Sequence, residues 1–329
     1  MVKDSMEDDI KLLTKVCYMY YHEDKVQTEI ADQLGITRQT VSRLLQKSRD
    51  EGIVKISIQS PVVEAVALET QLEEKFNLKN SIVIQKDYIS NDQLIEKLGM
   101  AAAEYLFKVI ASKMRIGIGF GKSIEFMAEY INDHFRRSTV KDVQIVQMVG
   151  NIKSNLFSEN SQYIASLIAK KMQASTQLLH APFCAEDDYV RAFFLNDSTV
   201  QNVLEQLNHL DYAFVEVRPA DRVYPVSIKK MKPANISYLN FLGINYLSNL
   251  DVVGEICLNY FNDRGHFVDT RLSEYLIGIN AKQLLRNKNI VGIAGGNDNQ
   301  NATLGALKTG AINVLITDED TAKFILSMN

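Results

Sequence analysis

A short run of polar side chains near the N-terminus has the residue types and the spacing needed to read base edges in duplex DNA. At 100° per residue on a helix, Gln39, Ser42, Arg43 and Gln46 fall on one side. Arginine can bind guanine through two hydrogen bonds, and glutamine can bind adenine in the same way. With their polar neighbours they form the candidate DNA-binding set: Thr37, Arg38, Gln39, Thr40, Ser42, Arg43, Gln46 and Lys47.

The segment 27–46 carries most of these residues and has the pattern of a helix-turn-helix. Ala31 is small enough for the point where two helices cross, Gly35 tolerates a left-handed turn, and Thr37 can cap the second helix. Residues 36–49 include four basic side chains and no acidic one. This local basic patch favours DNA binding over the alternative, a plain helical hairpin with a solvated polar face.

The elements that position this patch follow from the apolar spacing. Helices are predicted over 7–21, 26–34 and 38–50. The β-branched run at 53–58 predicts a strand that would form the wing of a winged helix-turn-helix, and 62–76 predicts an amphipathic connecting helix.

A second candidate site begins in the sequence IGIGFGKS, residues 116–123, where a strand leads through glycines into a helix. Glycines let backbone amides face a ligand, the helix N-terminus adds partial positive charge, and Lys122 adds a full charge. A phosphate or carboxylate would suit this loop, although its spacing matches neither a Walker loop nor the dinucleotide fingerprint. The alternative is a tight turn without a ligand. The candidate residues are Gly119, Phe120, Gly121, Lys122 and Ser123.

A loop of the same kind, AGGNDNQN at 294–301, follows another predicted strand. Its side-chain amides could bond the hydroxyls of a sugar, and a polar surface loop is the alternative. In open parallel sheets, ligands lie beyond the carboxyl ends of the strands, where both glycine loops belong. The candidates here are Gly295, Gly296, Asn297 and Asn299.

Behind these loops, apolar β-type runs alternate with helical stretches from about residue 80. This alternation predicts a doubly wound α/β domain with a mainly parallel sheet. NDRG at 262–265 predicts a turn between antiparallel strands. The predicted strands are 81–85, 115–120, 143–149, 176–183, 212–217, 252–261, 290–295 and 312–318, and the predicted helices are 123–135, 161–172, 199–210, 273–286 and 301–309.

Composition limits the class of protein. The 329 residues are 46% hydrophobic and carry a net charge of −4, which fits about two folded domains. The three cysteines form no CxxC pair and the five histidines no metal-binding group, so we expect neither a metal nor a cofactor. No apolar run approaches the roughly 18 residues of a membrane span, and we expect a cytoplasmic protein. The expected divisions are a DNA-binding domain at 1–60, a connecting helix at 61–79 and an effector-binding and oligomerisation domain at 80–329.

Taken together, the motifs resemble the SorC family of sugar-responsive transcription regulators. The resemblance runs in order through the helix-turn-helix, GIGFGKS, QMVGN at 147–151, VVGEICLNYFNDRGHFVDT at 252–270, AGG at 294–296 and INVLITDEDTA at 312–322. It implies a winged N-terminal domain and an effector domain with the fold of ribose-phosphate isomerase and glucosamine-phosphate deaminase. It also implies sugar or sugar-phosphate binding and assembly as a homodimer or homotetramer on operator DNA.

Two departures from the family bear on the effector. Asn299 stands where many members carry a phosphate-binding lysine, and no lysine near Gly150 and Asn151 could form the Schiff base of one branch. A different anion site or an unphosphorylated effector would account for both. Gly150, Asn151 and Asp269 complete the candidate effector-binding residues.

Two other classes of protein fit parts of the sequence. A sugar-phosphate isomerase or deaminase would need a general base, for which Asp187, Asp188 and Asp269 are the candidates. An interaction protein without a ligand could pair through the helix at 62–76. The attached DNA-binding domain favours a regulator without catalytic residues.

Overall fold

The computed structural model describes residues 2–57, 59–60, 62–85, 87, 90–131, 140–152, 160–220 and 251–328. The chain divides into two compact units, Met1–Val63 and Glu64–Asn329. Each unit has its own cluster of buried apolar side chains.

The first unit is a three-helix domain whose last two helices form the predicted helix-turn-helix. α2 ends at Gly35, which adopts the left-handed conformation with φ of 66°. The next helix begins after Thr37, whose hydroxyl accepts the amide of Thr40 at 3.1 Å. Ala31 is 4% exposed, as the crossing point of two helices requires. The helices are α1 (Val2–Tyr21), α2 (Gln27–Leu34) and α3 (Arg38–Asp50).

The predicted wing strand is wrong for the residues that the structure describes. Residues 53–57 belong to no strand, and Ile58 lies outside the described residues. A strand needs a paired neighbour, whereas here the amide of Val54 donates to the carbonyl of Ser48, at 3.0 Å. The β-branched run therefore folds back on the end of α3, and Ile56 is left 64% exposed.

The second unit is built on the predicted mainly parallel sheet. Seven strands run parallel in the order β1-β9-β8-β5-β2-β3-β4. β6 extends it antiparallel to β5, and β7 pairs with β6. The strands are β1 (Asn80–Ile84), β2 (Arg115–Ile118), β3 (Gln144–Gln147), β4 (Ser175–Gln177), β5 (Tyr212–Pro219), β6 (Val252–Ile256), β7 (Asn259–Asn262), β8 (Ile290–Ile293) and β9 (Val314–Asp318).

The single strand predicted over 252–261 is in fact a hairpin. Its two turn residues, Cys257 and Leu258, have positive φ angles of 50° and 66°, although neither is a residue type that favours that region. The amide of Leu258 donates to the side chain of Glu255 at 2.5 Å, which helps hold the turn. The predicted turn at 262–265 is confirmed by a bond from the amide of Gly265 to the carbonyl of Asn262, at 3.0 Å.

Three helices of this unit, Asn91–Val109, Asp188–Asn196 and Glu319–Ser327, were not predicted, and two of the predicted helices differ from what the structure describes. The helix predicted over 273–286 is two short helices, since Gly278 packs against the backbone of Met148 between them. Residues 132–135 of the predicted helix 123–135 lie outside the described residues. The helices are α4 (Val63–Phe76), α5 (Asn91–Val109), α6 (Lys122–Tyr130), α7 (Ser161–Met172), α8 (Asp188–Asn196), α9 (Ser198–Gln206), α10 (Arg271–Tyr275), α11 (Ala281–Arg286), α12 (Gln300–Lys308) and α13 (Glu319–Ser327).

The predicted connecting helix, α4, is amphipathic. It buries Ala65, Leu68 and Leu72 in the core of the second unit. The opposite side leaves Val63 and Val66 exposed, at 40% and 50%. Across the ranges that the structure covers, no helix combines the length and the apolar character needed to cross a bilayer.

Candidate functional site

The outer face of α3 carries the side chains that the sequence predicted to project. Val41 and Leu45 are 0% and 2% exposed and pack inward. Gln39, Ser42 and Arg43 are exposed, as are Gln46 and Lys47 one turn later. The helix is fixed at its start by the Thr37 cap, so its first two turns present a defined polar surface.

The side chains on this face differ in how far they are already engaged. Gln46 accepts a bond from Arg49 at 2.7 Å and donates to Asp50 at 2.9 Å. Lys47 lies 3.7 Å from Glu51. Arg43 makes no hydrogen bond or ion pair with the described residues, so its five donors are available to a partner.

In the second unit, a polar cleft lies at the carboxyl ends of β5 and β8, next to the N-terminus of α6. The two predicted glycine loops follow β2 and β8, which both pair with β5, so the loops lie on either side of its carboxyl end. The lining residues are Asn91, Ile95, Leu98, Ser123, Glu216, Val217, Arg218, Pro219, Ile293, Ala294, Gly295 and Asn299.

The N-terminus of α6 already binds a carboxylate from its own chain. The amide and the hydroxyl of Ser123 donate to the same oxygen of Glu216, at 2.6 and 2.5 Å. A Cβ at Gly121 would lie 2.5 Å from the carboxyl carbon of Glu216, so only glycine leaves room for this group. Burial raises the pKa of Glu216, although the bonds from Ser123 and the charge of Arg218 oppose that shift.

Arg218 is the cationic side chain among the described residues that line the cleft. It forms an ion pair with Glu255 and lies over the ring of Phe120, with 4.5 Å between the guanidinium carbon and the ring centroid. Its charge is thus committed to a carboxylate that is 1% exposed.

The second glycine loop is also occupied by a carboxylate of this chain. The amide of Gly296 donates to Asp318 at 2.8 Å. Asn299 follows this loop and is 9% exposed. Its side-chain nitrogen donates to the carbonyl of Val217 at 2.9 Å, whereas its Oδ1 has no hydrogen-bond partner among the described residues.

The structure brings only part of the predicted effector set to this cleft. Ser123, Gly295 and Asn299 line it. Lys122 points elsewhere: its ammonium lies 2.9 Å from Glu125 and 4.8 Å from the ring centroid of Phe126.

The other predicted effector residues contact other parts of the chain or face solvent. Phe120 packs beneath Arg218, and Gly119 lies close to Cys257. Asn151 accepts a bond from Gln147 at 3.1 Å. The remaining members of the set are also absent from the cleft lining: Gly121, which lies against Glu216, Gly296, which donates to Asp318, Gly150, which packs on Pro182, and Asp269 and Asn297, which are exposed.

The sequence analysis missed three polar residues of the cleft, namely Asn91, Glu216 and Arg218. A signal was present for two of them. The strand YAFVEVRP is apolar apart from Tyr212 until charges appear at alternate positions near its carboxyl end. Charges within a strand of a covered parallel sheet must find partners, and at its carboxyl end they face the ligand-binding edge.

Two family models match the chain. Residues 60–327 match the family described as "Putative sugar-binding domain". Residues 26–65 match the Crp-like helix-turn-helix domain.

Two regulators are similar to this chain over almost the whole length. The sorbitol operon regulator of Klebsiella pneumoniae is 28% identical over 326 residues, covering 97% of this chain and 98% of that protein. The deoxyribonucleoside regulator of Bacillus subtilis (strain 168) is 26% identical over 320 residues, covering 96% and 97%.

Solved structures show the same architecture. The full-length Klebsiella pneumoniae regulator matches with a TM-score of 0.70 and 28% identity, over 97% of this chain and 99% of that one. A DeoR family transcriptional regulator from Listeria monocytogenes matches with a TM-score of 0.66 and 28% identity, over 79% and 99%. With the sugar-binding family model covering most of its length, this chain belongs to the SorC family of sugar-responsive transcriptional regulators.

Proposed function

We propose that the chain regulates a carbohydrate-utilisation operon by binding operator DNA through α3 and a small sugar or sugar phosphate in the cleft of the second unit. The observation that carries this proposal is the exposed polar face of α3, where Arg43 and Gln39 have no hydrogen bond or ion pair with the described residues and lie on a capped helix. Such a face suits the major groove, which displays a distinct pattern of donors and acceptors for each base pair.

The cleft supports the effector half of the proposal. It lies where open parallel sheets bind ligands, and it offers both hydrogen-bonding and apolar groups. An effector can shift DNA affinity only by its differential affinity for two arrangements of the protein. The names of the Klebsiella and Bacillus relatives associate them with sorbitol and deoxyribonucleosides, and we propose an effector of the same broad class here.

We propose that the second unit senses its ligand without converting it. The three candidate bases, Asp187, Asp188 and Asp269, are exposed and absent from the cleft lining. Glu216 does line the cleft, but one of its oxygens already holds the start of α6. Incubation of the purified protein with hexoses, pentoses and their phosphates should leave them unchanged by NMR.

A homodimer or homotetramer completes the proposal, because one helix-turn-helix reads too few base pairs for useful specificity. The exposed valines of α4, Val63 and Val66, offer an apolar surface for such pairing. Sedimentation at micromolar concentration should show a multiple of the 37.2 kDa chain. A monomer both with and without selected DNA would contradict this part.

Selection from a random duplex library tests the proposal as a whole. The full-length protein should enrich a motif with two related half-sites, and a sugar from the panel should change the measured affinity. Arg43→Ala should lose the motif, whereas Arg286→Ala, an exposed arginine on α11, is the matched control and should keep it. Failure to enrich any motif would contradict the DNA-binding role.

A further inference from the structure

Both glycine loops of the cleft have the geometry of an anion site, yet both already hold an anion supplied by the chain. Ser123, in the first turn of α6, gives its amide and hydroxyl to Glu216. Gly296, in the second loop, gives its amide to Asp318. Asp318 is held in turn by the amide and hydroxyl of Thr321, at 3.1 and 2.6 Å. A phosphate would have to displace one of these internal carboxylates.

The charge balance of the cleft also disfavours a phosphate. Arg218 is the cation among the described lining residues, and it is paired with Glu255. Glu255 already balances this cation, and Glu216 adds a second carboxyl group to the same space. A second anion brought into this partly desolvated space would meet like charge, and the described lining residues offer no further cation to balance it.

Two acceptors of the cleft lining receive no hydrogen bond from the described residues. Asn299 is nine-tenths buried and its Oδ1 has no partner among the described residues. The bonds from Ser123 fall on one oxygen of Glu216, which leaves the other oxygen without a bond from any described residue. Hydroxyl groups can donate to such acceptors, whereas a phosphate dianion can only accept.

We infer that the effector is an unphosphorylated polyhydroxyl compound, a free sugar or sugar alcohol, and that Glu216 is the residue that excludes its phosphate ester. This inference rests on the proposed sensing role of the cleft and specifies the ligand class for it. Glu216 acts as a specificity-determining residue. One of its carboxyl oxygens occupies the N-terminus of α6, where a phosphate would otherwise bind, and the other accepts a hydrogen bond from a ligand hydroxyl.

The first arm of the test uses matched ligand pairs with the full-length wild-type protein. Calorimetry would compare D-glucitol with D-glucitol 6-phosphate, and D-fructose with D-fructose 6-phosphate. In any pair that binds, the free compound should bind about tenfold tighter or more, since the ester adds uncompensated like charge. Tighter binding of the phosphate ester would overturn the inference while leaving the proposed sensing role intact.

The second arm probes the anion position with inorganic phosphate and needs no knowledge of the effector. Against chloride at equal ionic strength, phosphate should not raise the wild-type melting temperature. Glu216→Ala opens the position, and phosphate should then raise the melting temperature by about 2 °C or more. Glu129→Ala removes an exposed carboxylate from the same helix and should behave like the wild type.

The outcomes separate the hypothesis that Glu216 excludes phosphate from the hypothesis that the cleft senses a sugar. Phosphate stabilisation of the wild type overturns the inference even if Glu216→Ala fails to fold, as does a folded Glu216→Ala that ignores phosphate. If no sugar in a wide panel binds while the phosphate results come out as expected, the role of Glu216 stands and the proposed sugar sensing fails.

Discussion

Arg218 on β5 and Glu255 on β6 form an ion pair with side chains only 15% and 1% exposed, between strands that run antiparallel. A buried pair is costly to break because one charge is left without compensation. We expect Arg218→Met to lower the free energy of unfolding by about 3–5 kcal/mol. Urea denaturation followed by fluorescence and circular dichroism would measure this change.

The double variant Arg218→Met, Glu255→Gln provides the decisive comparison, because it removes both charges. It should lose less stability than the sum of the two single variants, by about 0.5–3 kcal/mol. An exposed pair serves as control: Glu51→Gln, opposite Lys47 at 3.7 Å, should change stability by at most about 0.5 kcal/mol. Simple additivity at Arg218 and Glu255 would contradict the pairing.

The free and engaged residues of α3 should contribute differently to DNA binding. Arg43→Ala should weaken binding to the selected motif by about 1–3 kcal/mol and relax the preference at one base pair, since this arginine is free to contact a base. Lys47→Ala should weaken binding evenly across sequences and reduce the salt slope by about 0.9, as expected for one phosphate contact. Fluorescence anisotropy at several salt concentrations would distinguish the two. Equal effects on motif and scrambled DNA for Arg43→Ala would contradict base readout.

Local signals explain why the helix-turn-helix could be predicted from the sequence. The Thr37 cap joins residues three apart, and the turn at Gly35 depends on the backbone freedom of one residue. The parallel sheet could be predicted for a related reason, since each apolar run carries its own signal. The wing was mispredicted because a strand also needs a partner, which β-branched residues alone do not supply.

The occupied anion positions could not be predicted because their partners are distant in sequence. Ser123 and Glu216 are 93 residues apart, and Gly296 and Asp318 are 22 apart. The same holds for the hairpin turn at Cys257 and Leu258, whose sequence lacks the glycine or asparagine of an ordinary two-residue turn. A glycine-rich turn therefore predicted an anion site without indicating which anion fills it.

The buried carboxyl of Glu216 should make stability depend on pH in a defined direction. Its pKa is raised by burial above the ordinary 4.5, so the folded chain holds this proton to higher pH than the unfolded chain. Stability contributed by the protonated form is therefore lost as pH rises from about 4.5 through the folded pKa. Ser123, Arg218 and Glu255 are the groups that modulate this shift.

Glu216→Gln cannot ionise, so its stability relative to the wild type should rise across that window and then level off. Urea unfolding at intervals between about pH 4.5 and 8 would measure the difference. Glu129→Gln, on the exposed side of α6, should show a difference that does not change with pH. A flat profile for Glu216→Gln, or one of opposite slope, would contradict a raised pKa.

Gly121 is expected to be irreplaceable for two separable reasons. Its φ of 134° is strained for any residue with a Cβ, and that Cβ would lie 2.5 Å from the carboxyl carbon of Glu216. Together these should make Gly121→Ala less stable by about 2–4 kcal/mol.

In the double variant Gly121→Ala, Glu216→Ala the clash disappears and only the backbone strain remains. We therefore expect the double variant to be more stable than the sum of the single changes predicts, by about 1–3 kcal/mol. Thermal and urea unfolding of the four proteins would provide the cycle, and additivity within about 0.5 kcal/mol would show that Glu216 does not occupy the start of α6 in solution.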